Sequence, residues 1–231
     1  MNGRRIGFFS GFPNRQFTDE IACELKKLLH DRESLVFISA WPDRFKQNDE
    51  DSEGMHNMFV AEDISFERFS VIDERTDEKN AQKEIENASC LFLMGGNATA
   101  QMDLIRRKGI FESIKVFQGV ILGVSAGSMN MGNPVVDIYE SMVPYAGLGF
   151  CDITVKAHYP LEDEKLRNAT REVSMEIPVT LMKDESAIFI EEDNVKLIGE
   201  ILLMNRGEIR SFLQADLKHK SKISPKSAGD Q

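Results

Sequence analysis

The chain has 231 residues, 42% of them apolar and 29% charged, the make-up of a soluble globular protein and not of a disordered or fibrous one. Its 28 Lys+Arg against 38 Asp+Glu give a net charge of −10, which argues against non-specific binding to nucleic acid or to an anionic membrane surface. No apolar run approaches the ~20 residues of a membrane helix, and folding a chain of this length hides roughly 70–75% of its unfolded surface, in one compact domain or two small ones.

Arg4-Arg5 runs directly into Ile6-Gly7-Phe8-Phe9, an apolar run too short for a signal-peptide core and closed by Ser10-Gly11. Cys23, Cys90 and Cys151 lie far apart without a CxxC pair, which suits a reducing compartment and predicts a cytoplasmic protein with neither a disulfide framework nor a metal site. Strands are predicted at Ile6 to Phe9, Leu35 to Ser39, Phe69 to Ile72, Cys90 to Met94 and Val120 to Leu122. These runs lack polar alternation, as strands covered on both faces do. Helical stretches separate them, so the pattern is a three-layer α/β fold with a mostly parallel sheet. Thr18 is placed to cap a helix with Ile21, Leu25, Leu28 and Leu29 on one stripe, and Thr76 to cap another with Ala81, Ile85 and Ala88. A third helix follows Asn97, and a break at Lys108-Gly109 precedes a short one through Ile110, Ile114 and Phe117.

Beyond Ser125 the rhythm changes. A strand around Ile153 to Val155 ends at Ala157-His158, and a helix with Leu166, Ala169 and Val173 on one face follows. Short runs at Val179 to Met182, Ala187 to Ile190, Val195 to Ile198 and Ile209 to Phe212 predict antiparallel hairpins, with turns at Glu192-Asp193-Asn194 and Asn205-Arg206-Gly207. The expectation is one domain over 1–217 and a disordered tail over 218–231, where Lys218, Lys220, Lys222 and Lys226 stand among polar residues.

The most informative segment is Gly119-Val120-Ile121-Leu122-Gly123-Val124-Ser125-Ala126-Gly127-Ser128: an apolar strand enters G-x-S-x-G and leaves into small residues able to start a helix. That context is what a nucleophile elbow requires, with the hydroxyl clear at the carboxyl end of the sheet and the N–H of Ala126 aimed at the site. A serine needs a base. His30 closes the first helix, His56 lies in the acidic stretch Asp49 to Glu62 and is expected to be exposed, and His219 sits between two lysines in the tail. His158, at a strand end, is the candidate. The carboxylate that would orient it is left open among Asp184, Glu185, Asp137 and Glu140. Gly95-Gly96-Asn97, delivered by the run Cys90 to Met94, offers backbone N–H groups to a ligand oxygen.

Leu93-Met94-Gly95-Gly96-Asn97, Gly123-Val124-Ser125-Ala126-Gly127-Ser128, Ala157-His158-Tyr159 and Asp184-Glu185-Ser186-Ala187 resemble, in order and rough spacing, the S51 serine peptidases, which include peptidase E and the cyanophycinases. The resemblance spans Ile6 to about Phe212. It implies a fold similar to class I glutamine amidotransferases, a triad of Ser125, His158 and Glu185, and an oxyanion hole from the N–H groups of Gly96 and Ala126. It further implies hydrolysis of short peptides; no cofactor is predicted from the residues, and the sequence leaves a monomer and a homodimer both open. Ala98 follows Asn97 where family members often have Thr, so the aspartyl preference is not carried over. Two other readings compete: a catalytically silent relative that binds a small ligand, and an α/β-hydrolase-type esterase using His219.

Overall fold

The computed structural model describes residues 4–160, 162–192 and 194–217. The tail predicted to be disordered, with His219, lies outside the described residues. Alternation along the sequence builds β1 (Arg5–Phe9), α1 (Asp19–Leu28), β2 (Ser34–Ile38), α2 (Phe45–Ala61), β3 (Arg68–Ile72), α3 (Glu78–Glu86), β4 (Cys90–Leu93), α4 (Ala98–Arg107), α5 (Phe111–Val116), β5 (Val120–Val124) and α6 (Ala126–Met131). After α6 come β6 (Thr154–Lys156), α7 (Glu164–Ser174), β7 (Val179–Met182), β8 (Ala187–Glu191), β9 (Asn194–Ile198), β10 (Ile201–Asn205) and β11 (Glu208–Ser211).

Seven strands form the main sheet in the order β3-β2-β4-β5-β1-β8-β9. β3, β2, β4, β5 and β1 pair in parallel, while β8 and β9 complete the sheet antiparallel. The apolar strands serve two cores at once, because successive side chains point to opposite faces. Phe8, Ile38, Leu93 and Ile121 pack with Ile85, Met102, Ile105 and Met129 of α3, α4 and α6 on one side. Phe9, Phe37, Phe92 and Leu122 pack with Ile21, Leu25 and Phe59 of α1 and α2 on the other. Burial on both faces is why these runs show no polar alternation. Among the described residues no helix is long and apolar enough to cross a membrane.

A second sheet, ordered β11-β10-β7-β6, joins the first core through Val155, Met182, Ile201 and Leu203. Here the structure departs from the expected run of hairpins. β7 pairs antiparallel with β10 and parallel with β6, and the chain then changes sheets so that β8 lies beside β1. The β8–β9 hairpin is as expected, whereas the turn at Asn205-Arg206-Gly207 joins β11 to β10, a strand outside the predicted set. The cap of α3 is also one residue later than predicted. Asp77 accepts the Asn80 N–H at 2.8 Å, whereas the Thr76 hydroxyl lies 3.3 Å from the Val71 carbonyl of β3. Thr18 caps α1 as expected, accepting the Ile21 N–H, and α4 follows Asn97, which accepts the Ala100 N–H.

Candidate active site

β5 is a central strand with β4 and β1 on either side. The connection after β1 goes to the face covered by α1, and the one after β5 to the opposite face with α6. Neighbouring strands whose connections diverge leave a crevice at their carboxyl ends, the usual place for a site in an open α/β sheet. Ser125 stands there.

Its backbone is left-handed, with φ 52° and ψ −112°, a conformation costly for a residue with a side chain and held only by its surroundings. The Ser125 N–H donates to the Phe9 carbonyl (3.0 Å) and its carbonyl accepts the Met129 N–H (3.0 Å). Ser128 accepts the Phe9 N–H at 2.9 Å and lies 2.6 Å from the Gly123 carbonyl, tying the elbow to β1. The two glycines of G-x-S-x-G are steric requirements. A Cβ on Gly127 would come within 2.1 Å of the Leu93 carbonyl oxygen, and one on Gly123 within 2.5 Å of the Met131 sulfur.

The Ser125 hydroxyl lies 2.9 Å from His158 Nε2, and His158 Nδ1 lies 2.7 Å from Asp184 Oδ1. With Asp184 ionised, Nδ1–H donates to the carboxylate, leaving Nε2 to accept the serine proton. His158 follows β6 and is itself left-handed at φ 59°. Asp184 comes from the segment that carries the chain from the second sheet back to the main one. The imidazole and the carboxylate keep 45% and 37% of their side-chain surface exposed, open to an incoming molecule.

The acid implied by resemblance, Glu185, does not reach the imidazole. Its N–H donates to the Gly11 carbonyl (2.9 Å), and its carboxylate accepts from the Asn14 side-chain amide at 3.3 Å. Glu185 has φ 64°, and the turn sends these neighbouring side chains to different partners. The other two acids are also elsewhere. Glu140 accepts from the Asn97 amide, and buried Asp137 accepts the Tyr139 N–H at 3.0 Å. Burial raises the Asp137 carboxyl above its ordinary range and holds nearby Lys156 down to about 8.

Gly95 and Gly96 line the cleft beside Ser125. A Cβ on Gly95 would sit 3.5 Å from that of Ser125; Gly96, at φ 141°, packs so closely on Trp41 that a Cβ would lie 2.5 Å from its Nε1. Ala126 opens α6, so its N–H has no intrahelical acceptor. Asn97, expected beside these as a binding residue, is instead a structural cap. Its N–H donates to the Ala40 carbonyl, its side-chain oxygen caps α4, and its amide donates to Glu140. His56, expected to be exposed, is half-buried on α2 and stacks on Phe69 at 4.4 Å. Burial lowers its pKa. Among the described residues no group of three or more His, Cys, Asp or Glu side chains is arranged to hold a metal ion.

Two further site residues went unnoticed in the sequence, where Ser10-Gly11 reads only as the polar end of β1. The Ser10 hydroxyl accepts the His158 N–H at 2.8 Å and lies 2.9 Å from the Met182 carbonyl and 3.2 Å from Asp184 Oδ1. A Cβ on Gly11 would come within 2.6 Å of both Asp184 Oδ1 and His158 Cε1. The available signal was position: a serine and a glycine at the carboxyl end of the strand next to the elbow strand. Gly11→Ala is therefore expected to separate the imidazole from its carboxylate and cut turnover by about 10²-fold. Steady-state kinetics beside a thermal melt check this, since a fall in melting temperature alone would make Gly11 a packing residue only.

The signature of peptidase family S51 matches residues 9–198, a span that includes Ser125, His158 and Asp184. The chain belongs to peptidase family S51. With that family it is a serine-type peptidase, and its fold is that of solved relatives. A peptidase from an acI-B1 actinobacterium superposes with a TM-score of 0.70 at 14% identity, covering 91% of this chain and 98% of its own. A peptidase E candidate from Listeria monocytogenes EGD-e superposes with a TM-score of 0.65 at 14% identity, covering 85% and 98%. No curated protein sequence matches the chain.

Proposed function

We propose that this S51 peptidase hydrolyses short peptides through an acyl-enzyme on Ser125, with His158 as general base and Asp184 as the acid that orients it. The observation that carries the reading is the double contact of one imidazole, Nε2 at 2.9 Å from the serine hydroxyl and Nδ1 at 2.7 Å from the Asp184 carboxylate. In the first step Oγ attacks the peptide carbonyl carbon while Nε2 takes its proton, and the Asp184 charge stabilises the imidazolium that forms. The oxygen of the tetrahedral intermediate accepts from the N–H groups of Gly96 and Ala126. The amine leaves with the proton held by His158, and a water activated by the same nitrogen releases the acyl group.

The cleft at Ser125, about 350 Å³, is large enough for a residue or two of a peptide substrate. The Listeria neighbour's designation as a peptidase E candidate points the same way. A serine-directed fluorophosphonate tests the nucleophile without knowledge of the substrate. Intact-mass and peptide analysis are expected to show one adduct per chain, on Ser125. No adduct, with the protein folded, would favour a silent ligand-binding relative, and an adduct on another serine would refute the assignment.

A further inference from the structure

We infer that the cleft beside Ser125 is the subsite for an uncharged, apolar side chain on the acyl side of the scissile bond, and that Gly54 sets its depth. The inference rests on Ser125 being the nucleophile. The cleft extends from Ser125 and His158 to α2, which presents Asp51, Gly54, Met55 and Met58 to it at the i, i+3, i+4, i+7 spacing of one helix face. Met94, Phe12, Phe92 and Val124 are the apolar residues of the remaining wall. The Phe12 ring is held rigid between Phe9 and Phe17, with ring centroids 5.4 and 5.0 Å away, whereas the methionines are adaptable and fit apolar groups of varied shape.

Charge points the same way. Arg15 and Asp51 both line the cleft, so its lining carries one charge of each sign. A carboxylate entering this space would meet thioethers and a phenyl ring while sharing the cleft with Asp51. Arg15 is solvent-exposed, so a carboxylate seated among Met55, Met58, Met94 and Phe12 would have only a well-hydrated cation to offset its burial, and an acidic side chain is disfavoured here.

Gly54 supplies the independent observation. Glycine is the poorest helix former after proline, yet it stands inside the 17-residue helix α2. A Cβ built there meets no atom within 4 Å, so no contact in the helix or its neighbours requires a glycine at this position. Its effect is to leave room in the cleft.

Diphenyl aminoalkylphosphonates bearing leucine, phenylalanine or aspartate side chains test the subsite on the full chain. Each forms a bond from Ser125 Oγ to phosphorus as one phenoxide leaves, the serine proton passing by way of His158. The leucine and phenylalanine analogues are expected to label at least about tenfold faster than the aspartate analogue. Gly54→Leu is expected to slow those two about 10–100-fold while leaving labelling by a small ethyl fluorophosphonate within a few-fold of the parent. Gly54→Ala, which strengthens the helix, is expected to show a smaller loss of the same kind and covers the case in which the leucine variant does not fold. Equal rates for the three analogues, faster labelling by aspartate, or indifference to Gly54→Ala and Gly54→Leu would overturn the subsite and leave the nucleophile standing. Failure of every probe, the fluorophosphonate included, would overturn the nucleophile and the subsite with it.

Discussion

Ser125→Ala is expected to lower kcat on a cleaved peptide by about 10⁴–10⁶-fold while leaving the fold intact. The variant keeps Cβ, so the packing at the elbow is unchanged, and it removes only the oxygen that faces His158 Nε2. The backbone bonds that hold the residue at positive φ, donated to the Phe9 carbonyl and accepted from the Met129 N–H, involve no side-chain atom. The loss should therefore appear in kcat and not in the melting temperature. Residual turnover would come from substrate binding and the oxyanion donors alone. A variant retaining the parent's kcat on the same peptide would show that the bond is broken elsewhere.

Asp184→Asn is expected to cost about 10³–10⁴-fold in kcat, and Glu185→Gln less than about tenfold. The asymmetry follows from the contacts. Asp184 is the carboxylate 2.7 Å from Nδ1, and replacing it by a neutral amide removes the charge that balances the imidazolium and puts an NH2 donor beside Nδ1, which favours the opposite tautomer. Glu185 is a solvent-side partner of Asn14, and its backbone bond to Gly11 survives the substitution. Paired measurement of the two variants on one substrate decides between them, and the opposite ranking would reinstate Glu185 as the orienting acid.

The difference between these neighbours marks where sequence reading stops. The two acids stand together in one turn, and which one meets the imidazole depends on Glu185 taking φ 64° and on β7 and β8 belonging to different sheets. Neither is written in residue types, because both strands are apolar runs of similar length. The elbow was legible because its chemistry and its sterics demand the same residues: glycines at 123 and 127 where no Cβ fits, and a serine between them. The five parallel strands were legible because two-sided burial leaves unbroken apolar runs. Helix α2 was not, since its buried residues include Asn48 and Ser52, which lie among polar groups. Asn48 accepts from Ser39 at 2.8 Å and donates to Asp73 at 3.1 Å, so part of this helix docks through hydrogen bonds that hydrophobic periodicity does not register. Ser10-Gly11 escaped for a related reason: its role comes from being beside β5 in the sheet, although the two strands are more than a hundred residues apart in sequence.

A crystal structure of the phosphonylated protein would examine the catalytic geometry at its source. Phosphorus is expected on Ser125 Oγ, with a phosphonyl oxygen facing the N–H groups of Gly96 and Ala126 and the Asp184 carboxylate still hydrogen-bonded to His158 Nδ1. Phosphorus on a different residue, or a His158 ring whose Nδ1 partner is Glu185 or solvent, would contradict that geometry.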